Sequence, residues 1–408
     1  MRIRSITYFC NPKYPLDEEV LRKAGAFLSE AKAAYEAAGY EVQTMRLATV
    51  PFPELLRSND FSRSNAVEAA AALSRILPEI GVAYASLGPA LIEFPESYEV
   101  IPEAIAASQN IFFGGEMASR EKGVSLAAVK ACAEVIVKCA RIEPNGFANL
   151  QFAALANVKA GAPFFPAAYH DGDEPAFAIA TEAADLAVQT FENAETIEEG
   201  KEALTSEITK HGQAISQTAQ SLISNYQLPG FLGIDFSLAP FPDDAHSLGN
   251  AVEKMGVPKI GLHGSLAAAA LLTDAVDRAD FPHTGFSGFM QPVLEDSVLA
   301  KRAAEGTLTI KDALLYSAVC GTGLDTIPLP GDTTAEQITP LLLDLCALAL
   351  RLDKPLTARL MPIPDKKAGD ETNFDFAFFA PSRVMALESV ELNAPLNGQE
   401  ILRIEKRG

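Results

Sequence analysis

Tryptophan is absent from the 408 residues, and histidine and cysteine occur only five times each. The cysteines (Cys10, Cys132, Cys139, Cys320 and Cys346) are odd in number, widely spaced and never arranged as Cys-x-x-Cys. That pattern argues for a reduced, cytoplasmic chain without structural zinc. Positive charge is also scarce: 33 Lys and Arg face 53 Asp and Glu, a formal net charge of −20. A field of that sign repels phosphate, so neither nucleic acid nor an anionic membrane is an expected partner. No apolar run approaches the roughly 18 residues a membrane helix needs. The segment Met1 to Cys10 alternates like a strand and lacks the basic-then-apolar order of a secretion signal. What is present is a chain with 48% apolar residues, enough for one large core or two ordinary ones.

Strand and helix patterns alternate along it. Asp17 is placed to cap a helix through Leu21, Phe27, Leu28, Ala31 and Tyr35, which Gly39 closes before a second strand at Glu41 to Leu47. Apolar runs at Val82 to Ser86, Asn110 to Phe113, Phe177 to Thr181, Gly233 to Phe236, Lys259 to His263, Thr284 to Met290 and Leu324 to Leu329 read as strands. Helical spacing fits Asn65 to Ile76, Leu126 to Ala140, Ile197 to Tyr226, Ala245 to Met255, Leu266 to Val276, Asp296 to Glu305, Ile310 to Val319 and Ala335 to Leu352. The alternation predicts an α/β fold with much parallel pairing and helices outside. With no repeat or low-complexity linker, one barrel-like domain over residues 1–408 is expected. Pro364 to Glu371 reads as an exposed loop before a last strand pair.

Familiar motifs are missing. There is no Gly-x-Gly-x-x-Gly at a strand-to-helix turn and no phosphate loop ending in Gly-Lys-Ser/Thr, so no cofactor is expected. Gly285-Phe-Ser287-Gly288-Phe289 resembles a serine nucleophile elbow, but Phe289 stands where the second Gly belongs. What remains is polar residues where apolar strands end, the side on which α/β proteins bind ligands. Asp235 and Ser237 follow one strand; His263 and Ser265 follow another, with Ser265 a good helix N-cap. Glu295 and Asp296 open a helix, Asp325 sits in a Gly-rich turn with Cys320, Tyr169 and His170 precede a strand, and Glu182 and Glu116 end two more. Several strand-end carboxylates can supply the acid and base of a hydrolase. A divalent metal held by His170, His263 and two carboxylates is the rival use, without a His-x-x-x-His spacing to support it, and no metal is expected.

At Gly233-Ile-Asp235-Phe-Ser237-Leu-Ala239-Pro240, His263-Gly264, Pro292 to Asp296 and Cys320-Gly-Thr-Gly323-Leu-Asp325, the sequence resembles domain-of-unknown-function family 711, grouped with uncharacterised protein family 210. Asn157, Pro163-Phe164 and His170-Asp-Gly172 also fit, whereas the first 150 residues fit less closely. The resemblance implies an α/β fold with a ten-stranded, mixed parallel and antiparallel barrel surrounded by helices, like that of the pyruvate formate-lyase type of glycyl radical enzyme. It implies no settled activity. A radical role is not expected: Phe286-Ser287-Gly288-Phe289 echoes a glycyl radical loop, but Gly285 stands where that loop has Arg, and Cys320 follows the Gly instead of preceding it.

The leading expectation is therefore a glycoside-type hydrolase acting on a small sugar-containing molecule, with Glu182 and Asp235 as the carboxyl pair. Glu116, Glu295 and Asp325 are the reserve carboxylates, and His170 or His263 positions a sugar hydroxyl. Ser237, Ser265, Glu295, Asp296, Asp325 and Tyr169 are the expected substrate-binding residues. The alternatives are a non-catalytic ligand-binding or regulatory protein whose pocket carboxylates are neutralised by Arg or Lys, such as Arg46 or Lys159, and a metal-dependent lyase or hydrolase. A homo-oligomer is compatible with a chain of this size.

Overall fold

The computed structural model describes residues 1–57, 61–226 and 230–407. Its strands are β1 (Arg2–Cys10), β2 (Val42–Thr49), β3 (Tyr84–Ala90), β4 (Ile111–Ser119), β5 (Gly123–Ser125), β6 (Phe152–Ala156), β7 (Ala176–Glu182), β8 (Phe231–Asp235), β9 (Gly323–Pro330), β10 (Leu356–Ile363) and β11 (Ile401–Leu402). Twelve helices surround them: α1 (Glu18–Ala37), α2 (Phe52–Leu56), α3 (Arg63–Glu79), α4 (Glu96–Ala106), α5 (Leu126–Cys139), α6 (Ala184–Asn193), α7 (Ile197–Tyr226), α8 (Leu248–Lys254), α9 (Ser265–Asp277), α10 (Ser297–Ala304), α11 (Ile310–Tyr316) and α12 (Ala335–Leu352).

The strand order is β8-β7-β1-β2-β3-β4-β6-β10-β9, with the small β5 and β11 attached to β4. β1, β2, β3, β4 and β6 run parallel to one another. β7 joins β1 and β10 joins β6 antiparallel, while β8 lies parallel to β7 and β9 parallel to β10. His283 pairs parallel with Ile234 of β8, and Pro292 pairs parallel with Asp325 of β9. The segment 283–292 thus fills the tenth place and closes two parallel half-sheets, opposed in direction, into a barrel. Helices pack outside because parallel strands need crossover connections and buried faces on both sides. The first is typical: Asp17 accepts from Glu19 N–H at 2.9 Å, and Leu21, Phe27, Leu28, Ala31 and Tyr35 are buried at helical spacing. α7 buries one stripe (Leu204, Ile208, Ile215, Ala219 and Leu222) and leaves its other face wet.

Two expected strands take other forms. Lys259 to His263 is a turn, with Leu262 N–H donating to Lys259 C=O and Gly261 N–H to Ser265 Oγ. Thr284 to Met290 occupies a strand's place in the barrel without its ladder, since Gly285, Ser287 and Gly288 all have positive φ. After Glu371 the expected strand pair reduces to a single bridge to Arg383 and the two-residue β11. The lumen is filled by side chains from Ala162 to Ala168 and from Phe286 to Met290, packed on Ala153, Leu155, Ala178 and Ala180 of the barrel wall. Thr7 of β1 donates to Pro163 C=O at 3.0 Å and helps anchor the first of these segments.

Candidate functional site

Three expected site residues, Glu116, Tyr169 and His170, meet in one cleft of about 460 Å³. It opens where β2, β3, β4 and β6 end, lined by Glu54, Arg57, Glu93, Phe94, Glu116, Lys122, Leu155, Tyr169, His170 and Asp171 among others. This is the ligand side of a parallel sheet. Glu116 is delivered there by Gly114-Gly115; a Cβ on Gly115 would lie 2.6 Å from Cys132 Sγ of α5, so only glycine lets the helix close on β4. The register of β4 on β6 slips between Glu116 and Ala118, a bulge of the kind that re-aims side chains beside sites. Burial raises the Glu116 carboxyl above its ordinary value, although Lys122 Nζ donates to it at 2.7 Å and Ile92 N–H at 3.4 Å. Lys122 is shared with Glu93 at 2.9 Å. His170 bonds the backbone of Glu174 and has no partner at Nε2, which is buried; burial lowers its basicity, so the ring is neutral at pH 7. Tyr169 donates its hydroxyl to Val158 C=O at 2.9 Å, which fixes the loop that carries His170. Four carboxylates against two cations make the cleft acidic.

Glu295 and Asp325 meet elsewhere, inside the lumen. Arg359 reaches both: Nη2 donates to Glu295 Oε1 at 2.7 Å, Nε to Asp325 Oδ1 at 2.6 Å and Nη2 to Asp325 Oδ2 at 3.0 Å. Arg4 bridges Glu295 to Glu182, donating to Glu182 Oε2 at 2.7 Å. Arg2 Nε and Gln43 Nε2 donate to Glu182 as well, at 2.5 and 2.9 Å. The Glu182 side chain is only 1% exposed and lines neither cavity. Burial works against charge on Glu295, but Arg359 and Arg4 hold it below the usual carboxylate range. Asp325 is raised, by burial first and by neighbouring Glu295.

The remaining expected residues line neither cavity, and all but His263 are engaged in hydrogen bonds of the framework. Asp235, wholly buried, accepts Ser237 Oγ–H at 2.7 Å, Phe286 N–H at 2.7 Å and Ser287 N–H at 2.8 Å. It latches the closing segment to β8. A Cβ on Gly285 would stand 2.1 Å from its Oδ2, where φ is also +63°. Ser237 is consumed by the same latch, and Ser287 Oγ accepts from Phe236 N–H at 3.1 Å, away from any cleft. Glu182 and Asp235 therefore do not form an accessible pair. Ser265 bonds its own turn, and the N-cap of α9 is Gly264 instead. His263 is exposed and lines neither cavity, because the strand expected to present it is that turn. Asp296 caps two helices at once: it accepts from Leu248 N–H at 2.6 Å on α8 and from Val298 N–H at 2.9 Å on α10. Replacing it with alanine should cost about 2 kcal/mol, the worth of two caps, read as a lower urea midpoint with unchanged slope. Among the described residues no group of three or more His, Cys, Asp and Glu is placed to hold a metal ion.

Sequence reasoning did not assign Arg4, Arg359, Lys122 and Glu54. Arg4 lies in a first strand that also carries Arg2, Ser5 and Thr7, so its charge does not stand out; the structure puts it at a bulge between Ile3 and Ser5.

The fold and these cavities define an α/β barrel of two opposed parallel half-sheets with a strand-end cleft and an arginine-lined lumen. The chain belongs to the family described as Uncharacterised ACR (DUF711), whose model matches residues 1–381. It is 32% identical over 349 residues to a UPF0210 protein of Pyrobaculum islandicum, covering 81% of this chain and 76% of that one. A UPF0210 protein of Neisseria meningitidis serogroup C is 30% identical over 363 residues, covering 84% and 79%. Among solved structures an anaerobic ribonucleotide reductase aligns with a TM-score of 0.47 and 8% identity, over 88% of this chain and 70% of that one. No helix among the described residues is long and apolar enough to cross a membrane.

Proposed function

We propose that this protein is a hydrolase of glycoside type that works in the strand-end cleft, in the cytoplasm, where its five unbridged cysteines stay reduced. The observation that carries the reading is a carboxyl raised by burial, Glu116, in one cleft with the exposed carboxylates Glu54 and Asp171. Glu116 is the acid: its raised affinity for a proton keeps part of it protonated above the usual carboxylate range, ready to protonate a leaving oxygen. Lys122 can stay on Glu93 while a substrate oxygen takes its place at Glu116. Asp171, next to His170 on the loop, is the base or nucleophile. His170 offers its free Nε2 as acceptor for a sugar hydroxyl. The acidic lining suits a neutral or cationic small molecule and repels phosphorylated ones.

Leaving-group dependence tests the acid directly. Purified protein and its Glu116→Gln variant are assayed on nitrophenyl and alkyl glycosides. The variant should lose about 10²- to 10⁴-fold on alkyl leaving groups, which need protonation, and far less on nitrophenyl ones. Absence of turnover of every glycoside by the wild type, or equal losses on both classes, overturns the reading. A second reading, a non-catalytic binding protein, is favoured by one observation: Glu295 and Asp325, the carboxylates of the lumen cavity, are both neutralised by arginine, as a pocket of that kind requires.

A further inference from the structure

Arg46 is the charge in the lumen that this pairing leaves over. It is 9% exposed, and its one hydrogen bond is from Nε to Thr44 Oγ1 at 2.9 Å. Among the described residues no carboxylate pairs with it, since Glu295 and Asp325 are held by Arg4 and Arg359. Its guanidinium carbon lies 5.2 Å from the Phe165 ring centroid and 5.9 Å from that of Tyr84, so two aromatic walls hold the fork in place. The cavity it borders, about 110 Å³, has an apolar wall that includes Phe112, Phe286, Phe376 and Met290, and a polar side made by Arg4 and Arg359 with the Glu295 and Asp325 they hold. Burial first, and then the like charges of Arg4 and Arg359, work against the Arg46 cation and outweigh the pull of the nearby Glu295 carboxylate. Leaving a buried cation without a counterion is costly, and an anionic ligand supplies one.

We propose that this cavity binds a small organic carboxylate with an apolar or aromatic body, gripped through its carboxylate by the free Nη groups of Arg46. A guanidinium fork matches a carboxylate in two-point geometry, and aromatic walls take up the ligand's body. With Glu295 and Asp325 offsetting two of the three lining arginines, one net positive charge is left, which suits a monocarboxylate better than a phosphate dianion. The size of the cavity restricts the body to about one ring. This site shares no lining residue with the strand-end cleft and does not rest on the reading of that cleft.

Isothermal titration of the intact protein with benzoate, benzamide and inorganic phosphate tests it, with thermal melting of wild type and Arg46→Gln alongside. Benzoate should bind the wild type at least tenfold more tightly than benzamide, its neutral isostere, and phosphate should not compete. The variant should lose at least tenfold in benzoate affinity, yet melt at or above the wild-type temperature without ligand, because an uncompensated buried charge has gone. Equal binding of benzoate and benzamide, no benzoate binding by the wild type, or preference for phosphate overturns the proposal without recourse to any variant. Unchanged benzoate affinity in the variant, or a lower melting temperature that marks Arg46 as a structural cation, overturns it too.

Discussion

Replacing Asp235 with alanine should lower the unfolding free energy by about 4 kcal/mol, because buried N–H groups left without acceptors cost roughly 1–3 kcal/mol each. The amides concerned belong to Phe286 and Ser287, and Ser237 Oγ loses its acceptor with them. For a chain of 408 residues that loss corresponds to about 5 °C in melting temperature. The effect should depend on pH in a definite sense. Burial outweighs the three donors and pushes the Asp235 carboxyl up to about 6. A carboxyl raised on folding contributes stability that is fully present below its unfolded value, near 4, and is lost as pH rises through the folded one. The wild type's advantage over the variant should therefore be larger at pH 4.5 than at pH 7.5. An advantage that grows with pH would show that Asp235 is held as a favourable anion.

Arg359→Met should have an effect of the same size and the opposite pH trend. The side chain is 9% exposed and is the shared partner of Glu295 and Asp325. Methionine keeps much of its volume but leaves two buried carboxylates with too few cations, a change that typically costs about 3–5 kcal/mol. In the wild type Glu295 is held low, so its contribution is present above the unfolded carboxylate value and fades as pH falls through the lower folded one. In the variant both carboxylates can relieve their repulsion by taking up protons. The stability gap in urea should be widest near pH 7.5 and narrow toward pH 4.5, and a gap independent of pH would show that the arginine acts through packing alone.

The sequence made the outer layer legible. α7 spans Ile197–Tyr226 and α12 spans Ala335–Leu352, as periodicity predicted, because an amphipathic stripe declares itself locally. β6 and β10 went unseen: Phe152–Ala156 is short and Ala-rich, and Leu356–Ile363 follows α12 after only three residues and is buried throughout, so neither shows an alternation of its own. At the site, Glu116 and His170, expected as catalytic, and Tyr169, expected to bind substrate, line one cleft. Asp235 and Asp296 were equally prominent in sequence, yet a buried carboxylate at a strand end serves a latch or a cap as readily as a substrate. Only the positions of Phe286 and Leu248, 51 and 48 residues away, tell the uses apart.

The antiparallel joints between the half-sheets have a consequence for where chemistry can sit. An eight-stranded parallel barrel gathers every strand C-terminus on one rim, and its catalytic loops share one mouth. Here the five strands of one half and the four of the other finish at opposite ends, so the molecule has two mouths. One of them holds Glu182 and Asp235 in ion pairs and latches, with the arginine-lined cavity beside Glu182. The other carries the strand-end cleft that Glu116 and His170 line.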